Sequence, residues 1–213
     1  MIAGKPVDGT IQAVRKADNS AICVPGFANV SRGIRFNASY SDPSSGTKSV
    51  VVNNSSVTTT TSAAAATATP TTLNLDFDAN GRAPLSVRYN DAGQMNLNAS
   101  YVDTTANPGS SGYLISGSTS FVSRPYGLCI QTDSPTDQAT SSNYAFDSPR
   151  FSSTIRAGDL FDVRLKPVIW TSATDSSPPL MAANICNNET TPNYQQADVA
   201  LSTVLLAPVG GVN

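Results

Sequence analysis

The chain has 213 residues, enough for one large β domain or two of about 100 residues each. Charged residues are only 13% of it, against roughly 25% in a typical soluble domain, and the net charge of −2 with no basic stripe excludes electrostatic steering toward nucleic acid. There is no histidine, which removes the commonest general base, the commonest metal ligand and the usual partner of a Ser or Cys nucleophile.

Ser, Thr, Asn, Ala, Gly and Pro fill the place of the missing charges. A surface that is polar by hydroxyl and amide is the habit of secreted and assembled β proteins. An extracellular or cell-surface location is therefore expected. No run of about 18 apolar residues exists, so no membrane span is expected. The start, Met1-Ile2-Ala3-Gly4-Lys5-Pro6, lacks the basic and apolar regions of a signal peptide. The expectation is a processed chain or a piece of a longer one.

In chain order, residues 10–14 alternate as a strand, and residues 34–40 alternate with Ile34, Phe36, Ala38 and Tyr40 on one face. Tyr40-Ser41-Asp42-Pro43 opens a turn, and 49–52 reads as the returning strand. Residues 57–72 are low in complexity. Their Thr run suits an extended edge, Ala63 to Ala66 suit one helical turn, and the whole reads as a surface excursion.

Three period-2 runs follow, 71–77, 83–89 and 95–101, separated by Asp78-Ala79-Asn80-Gly81 and Asn90-Asp91-Ala92-Gly93. The turns suit residues that tolerate positive φ, so the runs predict a β-meander. Its core face is Leu73, Leu75, Phe77, Leu85, Val87, Tyr89, Leu97 and Tyr101. Residues 113–122 read as the last strand of a first domain, with a boundary at Ser123-Arg124-Pro125. Residues 126–131 begin a second domain, 132–148 read as a long polar loop, and 160–170 and 199–206 read as strands. The predicted fold is all-β: two tandem immunoglobulin-like antiparallel β-sandwich domains, 1–123 and 124–213.

Three cysteines, Cys23, Cys129 and Cys186, lie far apart without CxxC spacing, which argues against zinc. Cys129 and Cys186 share the second half and are the favoured disulfide pair, with Cys23 bonded to neither. The alternative is three reduced, buried cysteines. An orphan Cys23 fits a partner lying upstream of this piece.

An ordered series of motifs runs through most of the chain. It begins with Cys23-Val24-Pro25-Gly26-Phe27 and Tyr40-Ser41-Asp42-Pro43-Ser44-Ser45-Gly46-Thr47. It continues with Leu75-Asp76-Phe77-Asp78-Ala79-Asn80-Gly81-Arg82-Ala83, Val87-Arg88-Tyr89-Asn90-Asp91-Ala92-Gly93 and Leu97-Asn98-Ala99-Ser100-Tyr101. Phe121-Val122-Ser123-Arg124-Pro125-Tyr126-Gly127, Ala157-Gly158-Asp159-Leu160-Phe161 and Thr191-Pro192-Asn193-Tyr194 complete it. Over about residues 20–210 this order resembles the C-terminal region of MshQ-type proteins. Those are large bacterial surface proteins encoded with the mannose-sensitive haemagglutinin type IV pilus. The resemblance implies an exported, pilus-associated module with immunoglobulin-like domains and carries over no catalytic residue.

Each candidate site has a plain structural alternative. Asp76, Asp78 and Asn80 with Gly81 resemble the start of a calcium loop. The twelfth position, which should supply a bidentate Glu, is Val87, so a hairpin turn is preferred and calcium is kept only as a weak candidate cofactor. Asp91 reads as a turn residue bonding nearby backbone N–H groups, and Tyr194 as an anchor for its loop. Trp170, the only tryptophan, suits core packing first and a platform for a sugar ring second. The Asn-x-Ser/Thr triplets at Asn29, Asn37, Asn53, Asn54, Asn98 and Asn188 say nothing in a bacterial chain.

The reading is a non-catalytic module, a spacer or a contact with other pilus or cell-surface proteins. Self-assembly through edge strands at 49–52 or 57–61 is a rival, as is a glycan-binding lectin. A carboxylate hydrolase needs two carboxylates about 5–10 Å apart over a cleft, which sequence cannot show.

Overall fold

The computed structural model describes residues 1–17, 21–103, 113–133, 162–172 and 185–195. The strands are β1 (Val7–Gln12), β2 (Val14–Lys16), β3 (Cys23–Pro25), β4 (Val30–Asp42), β5 (Val50–Val52), β6 (Ser55–Ser56) and β7 (Thr58–Thr61). They continue as β8 (Thr71–Phe77), β9 (Arg82–Tyr89), β10 (Gly93–Asp103), β11 (Tyr113–Ser123), β12 (Gly127–Asp133) and β13 (Asp162–Val168). No α-helix occurs among the described residues. The expected strand at 199–206 and most of the expected loop at 132–148 lie outside those residues, while Thr132 and Asp133 belong to β12.

Two sheets make the sandwich. One has the order β1-β9-β5-β6. The other runs β11-β10-β4, with the parallel strand β7 and the antiparallel strand β8 sharing the far side of β4. Alternation along β4 sends Ile34, Phe36, Ala38 and Tyr40 inward, each at most 5% exposed. They meet Val50, Val52 and Tyr89 from the facing sheet, all fully buried. Phe27 closes one end of this core, edge-on to Phe77 at 5.0 Å and to Tyr101 at 4.8 Å between ring centroids.

The expected meander is overturned. The runs at 71–77, 83–89 and 95–101 are strands, but none pairs with the next: β8 pairs β4, β9 pairs β1 and β5, and β10 pairs β4 and β11. Each turn carries the chain across the core to the opposite sheet. Alternation fixes which face of a strand is apolar, and a turn fixes a reversal. Neither says whether the returning strand lies beside its predecessor or opposite it. Here Leu75 and Phe77 of one sheet face Tyr89 of the other, so the same apolar set is buried by crossing. Residues 49–52 depart in the same way: β5 pairs β9 and β6, not β4.

The hairpin β5-β6 turns on Asn53 and Asn54, both at positive φ (46° and 64°), the backbone that a two-residue hairpin loop requires and Asn tolerates. The low-complexity stretch divides. Thr58–Thr61 is a strand on β4, residues 62–68 form turns with Ala64 and Ala65 bonded back to Thr61 and Ser62, and the stretch ends inside β8.

Beyond Arg124, β12 and β13 pair antiparallel over seven residues. Cys129, Val168 and Ile185 form a second small core against Cys186, and Cys129 is bonded to Cys186 with Cα atoms 5.0 Å apart. Cys23 is a free, exposed thiol.

Candidate functional site

A buried polar cluster lies where the two halves meet, and it begins with the Asn90-Asp91-Ala92-Gly93 turn. Gly93 has φ 128°, and a Cβ there would stand 2.6 Å from the carbonyl oxygen of Asp42. Glycine thus lets the turn tuck against the end of β4 and points Asp91 inward. Asp91 is fully buried. Its Oδ1 accepts the N–H of Ala92 at 2.8 Å and the N–H of Asn193 at 3.0 Å.

Asn193 reaches that position on a scaffold from the second half. The segment 188–194 lies along the end of β13: Ile169 N–H donates to the Glu189 carbonyl, Asn188 Nδ2 donates to the Ile169 carbonyl, and Thr191 N–H donates to the Pro167 carbonyl. Asn193, itself 2% exposed, then sends Nδ2 to the Tyr89 hydroxyl at 3.2 Å. Tyr40 packs nearby and donates its hydroxyl to the Lys48 carbonyl at 2.8 Å. Lys48 forms an ion pair with Glu189 of the same segment. Gly46 leaves room for all this: a Cβ there would meet Asn193 Nδ2 and Tyr40 Cε1, each at 2.6 Å.

Burial sets the electrostatics. It pushes the Asp91 carboxyl above the usual range, although the N–H groups of Ala92 and Asn193 and the charge of Lys48 pull the other way. Burial, and then the Asp91 charge, hold Tyr89 far above the ordinary phenol value and raise Tyr40 as well, so both are neutral hydroxyls. Such a cluster fastens two surfaces.

Residues 1–4 complete the joint. Arg124 N–H donates to the Met1 carbonyl and Ala3 N–H to the Arg124 carbonyl; Gly4 N–H donates to the Tyr89 carbonyl and Trp170 N–H to the Ala3 carbonyl. Ala3 is fully buried. Trp170 is half-buried, with the Lys5 ammonium 5.4 Å from its ring centroid. The structure therefore places Trp170 in the joint, with one ring face under a cation.

The remaining candidates lie elsewhere. Asp78 Oδ1 accepts the N–H groups of Asn80 and Arg82, both at 2.8 Å, and so caps its own turn. The Asn80 carbonyl accepts from Gln12, and Asp76 is exposed on β8 opposite Ser31. Among the described residues no three His, Cys, Asp or Glu side chains form a metal-holding group. Sequence reasoning singled out the turns at 90–93 and 191–194 separately and joined neither to the other. No local pattern reports a contact 102 residues apart.

The fold defines an all-β protein in which an immunoglobulin-like sandwich is fastened to a second, disulfide-bonded unit. Residues 1–118 match a family described as a domain of unknown function (DUF6701), first Ig-like domain, and residues 124–213 match the DUF6701 second domain. The chain belongs to that family. No curated protein and no solved structure matches it.

Proposed function

We propose that this chain is a non-catalytic, exported structural module of a bacterial surface protein of the MshQ type, set at the cell surface as a spacer or as a contact with pilus components. The observation that carries the spacer reading is the Asp91–Asn193 joint. A fully buried carboxyl group bridging two domains resists their bending, because parting them breaks the bonds from Asn193 to Asp91 and Tyr89. Interfaces between domains are ordinarily permissive of relative motion. A buried polar lock, backed by the arm at residues 1–4, suits a chain that must hold its length. The hydroxyl-rich, weakly charged composition and the ordered motif series support export and the pilus context.

Cell fractionation of the bacterium that makes the parent protein tests the location. The parent is expected to be cleaved by protease added to intact cells and to leave with mechanically sheared pili. A parent that stays in the cytosol, protected from that protease, sinks the proposal. Small-angle scattering tests the stiffness: wild type should give one distance distribution, and Asp91→Ala, which removes the acceptor of the Asn193 N–H, should broaden it.

A further inference from the structure

The arm at residues 1–4 runs parallel to residues 122–124, with Ile2 opposite Arg124. Three bonds cross between them: the Met1 nitrogen donates to the Val122 carbonyl, Arg124 N–H to the Met1 carbonyl, and Ala3 N–H to the Arg124 carbonyl at 2.7 Å. Other parts of the molecule seat the arm as well. Gly4 N–H donates to the Tyr89 carbonyl and Trp170 N–H to the Ala3 carbonyl, both at 2.8 Å. Gly4 has φ 83°, and a Cβ there would stand 2.5 Å from the Trp170 carbonyl oxygen. Glycine thus lets the second half close directly on the arm.

The direction of the pairing has a mechanical consequence. Strands β1 to β11 all lie within residues 5–123, and Arg124 leads into the second half. The two ends of the sandwich segment therefore lie side by side and point the same way. Tension that draws residue 1 backward and residue 124 forward slides one strand along the other. Hydrogen bonds run across paired strands, so the three are strained together and must break together. An antiparallel pair pulled from its adjacent ends opens one bond at a time instead. Ala3 is fully buried and is bonded to both Arg124 and Trp170. Tension has a path from the arm to the second half that does not run through the sandwich core.

We infer that residues 1–4 are a shear clamp, which passes tension entering ahead of Lys5 straight to Arg124 and Trp170 and keeps the sandwich between them closed. The inference takes the presence of tension from the spacer reading. It does not depend on where the chain begins, since tension from any preceding residue enters through Met1. It also differs from the Asp91–Asn193 joint, which resists bending and lies off this path.

Single-molecule stretching of the full chain at constant force tests the clamp. Handles are joined to the two ends, in a Cys23→Ser background because that thiol is exposed. Opening the sandwich frees residues 5–123, up to about 400 Å of extended chain. The Cys129–Cys186 bond keeps any step from the second half much shorter. The readout is the waiting time before the long step, because forced unfolding follows the unfolding rate.

Ala3→Pro removes the N–H given to Arg124 and should shorten that time about fivefold or more. Gly4→Ala pushes the arm off Trp170 and should shorten it too. Phe77→Ala weakens the core in denaturant, yet the core is still closed when the clamp parts, so its waiting time should change little. Circular dichroism checks that each variant is folded. Moving the first handle to β1 by Asp8→Cys leaves the arm intact but outside the path of tension, and should shorten the time as the arm variants do. If an arm variant fails to fold, this change of handle decides alone. The same waiting time from both attachment points overturns the inference. So does a time that Ala3→Pro and Gly4→Ala leave unchanged, or one that Phe77→Ala shortens as much as Ala3→Pro.

Discussion

Asn193 donates its backbone N–H to Asp91 Oδ1 at 3.0 Å across 102 residues, the longest-range buried hydrogen bond to a carboxylate among the described residues. Removing that carboxylate strands two buried N–H groups, those of Ala92 and Asn193. An unsatisfied buried donor costs about 1–3 kcal/mol. Asp91→Ala should therefore destabilise the protein by about 2–4 kcal/mol, allowing for partial rehydration at the opened joint. Asp91→Asn keeps an acceptor oxygen and should cost far less. Urea denaturation followed by separate probes in each half measures both. Equal losses for the two variants would mean that the carboxylate's hydrogen bonds are not what Asp91 contributes.

The same residue fixes the sign of a pH dependence. Burial, the largest influence, raises the folded-state pKa of Asp91 above its ordinary 3.8. Lys48, Glu189 and the two neutral tyrosines are the groups around it. Between the ordinary and the raised value the folded protein binds more protons than the unfolded chain, so stability falls as pH rises. The contribution is whole below the unfolded value and is lost as pH climbs through the raised one. Stability profiles of wild type and Asp91→Asn should diverge over that window, with wild type relatively stronger at the acid end. A difference profile flat across the window contradicts the burial argument.

Core burial gives a simpler expectation. Phe77 is 3% exposed and packs edge-on against Phe27. Phe77→Ala should cost about 3–5 kcal/mol in chemical denaturation. The sequence made this residue's burial legible, as it did for Leu75, Tyr89 and Leu97, because alternation reports a strand's two faces directly. It left the pairing illegible. Whether β8 and β9 lie side by side or face to face depends on long-range contacts, and both arrangements bury the same side chains. The joint was hidden for a related reason: Asp91 and Asn193 each look like ordinary turn residues in their own neighbourhoods. Only the docking of the 188–194 segment against Tyr89 and the turn after it makes them partners.

Cys129 and Cys186 close a loop of 57 residues, and Cys186 sits beside the contacts that deliver Asn193 to the joint. Chain-entropy arguments assign such a cross-link about 4 kcal/mol. The Cys129→Ala, Cys186→Ala pair should destabilise the second unit by about that amount and loosen the joint, while the sandwich keeps its own core. Alkylation of the native protein should label Cys23 alone, since its thiol is exposed. Peptide mapping that finds Cys23 linked to Cys129 or Cys186 would contradict this arrangement.

The last prediction sets two glycines against each other. Gly93 occupies φ 128° with the Asp42 carbonyl oxygen 2.6 Å from where a Cβ would be, and Pro43 Cδ at 3.1 Å. Both neighbours are firmly placed, one being backbone and the other a ring, so neither yields without moving the end of β4. Strain at positive φ alone costs about 1–3 kcal/mol, and the clash adds to it. Gly93→Ala should therefore unfold at a clearly lower denaturant concentration. Because Gly93 aims the Asp91 turn, it should also free the Asn193 amide to exchange faster than the amides of β12. Gly117 offers a control in the same sheet. Nothing stands within 4 Å of its missing Cβ, and alanine suits a strand interior better than glycine by about 0.5–1 kcal/mol. Gly117→Ala, measured in dilute solution, should be neutral or slightly stabilising. If the two substitutions cost the same, glycine at 93 serves no geometric purpose, and the route by which Asp91 reaches the joint must be sought elsewhere in the turn.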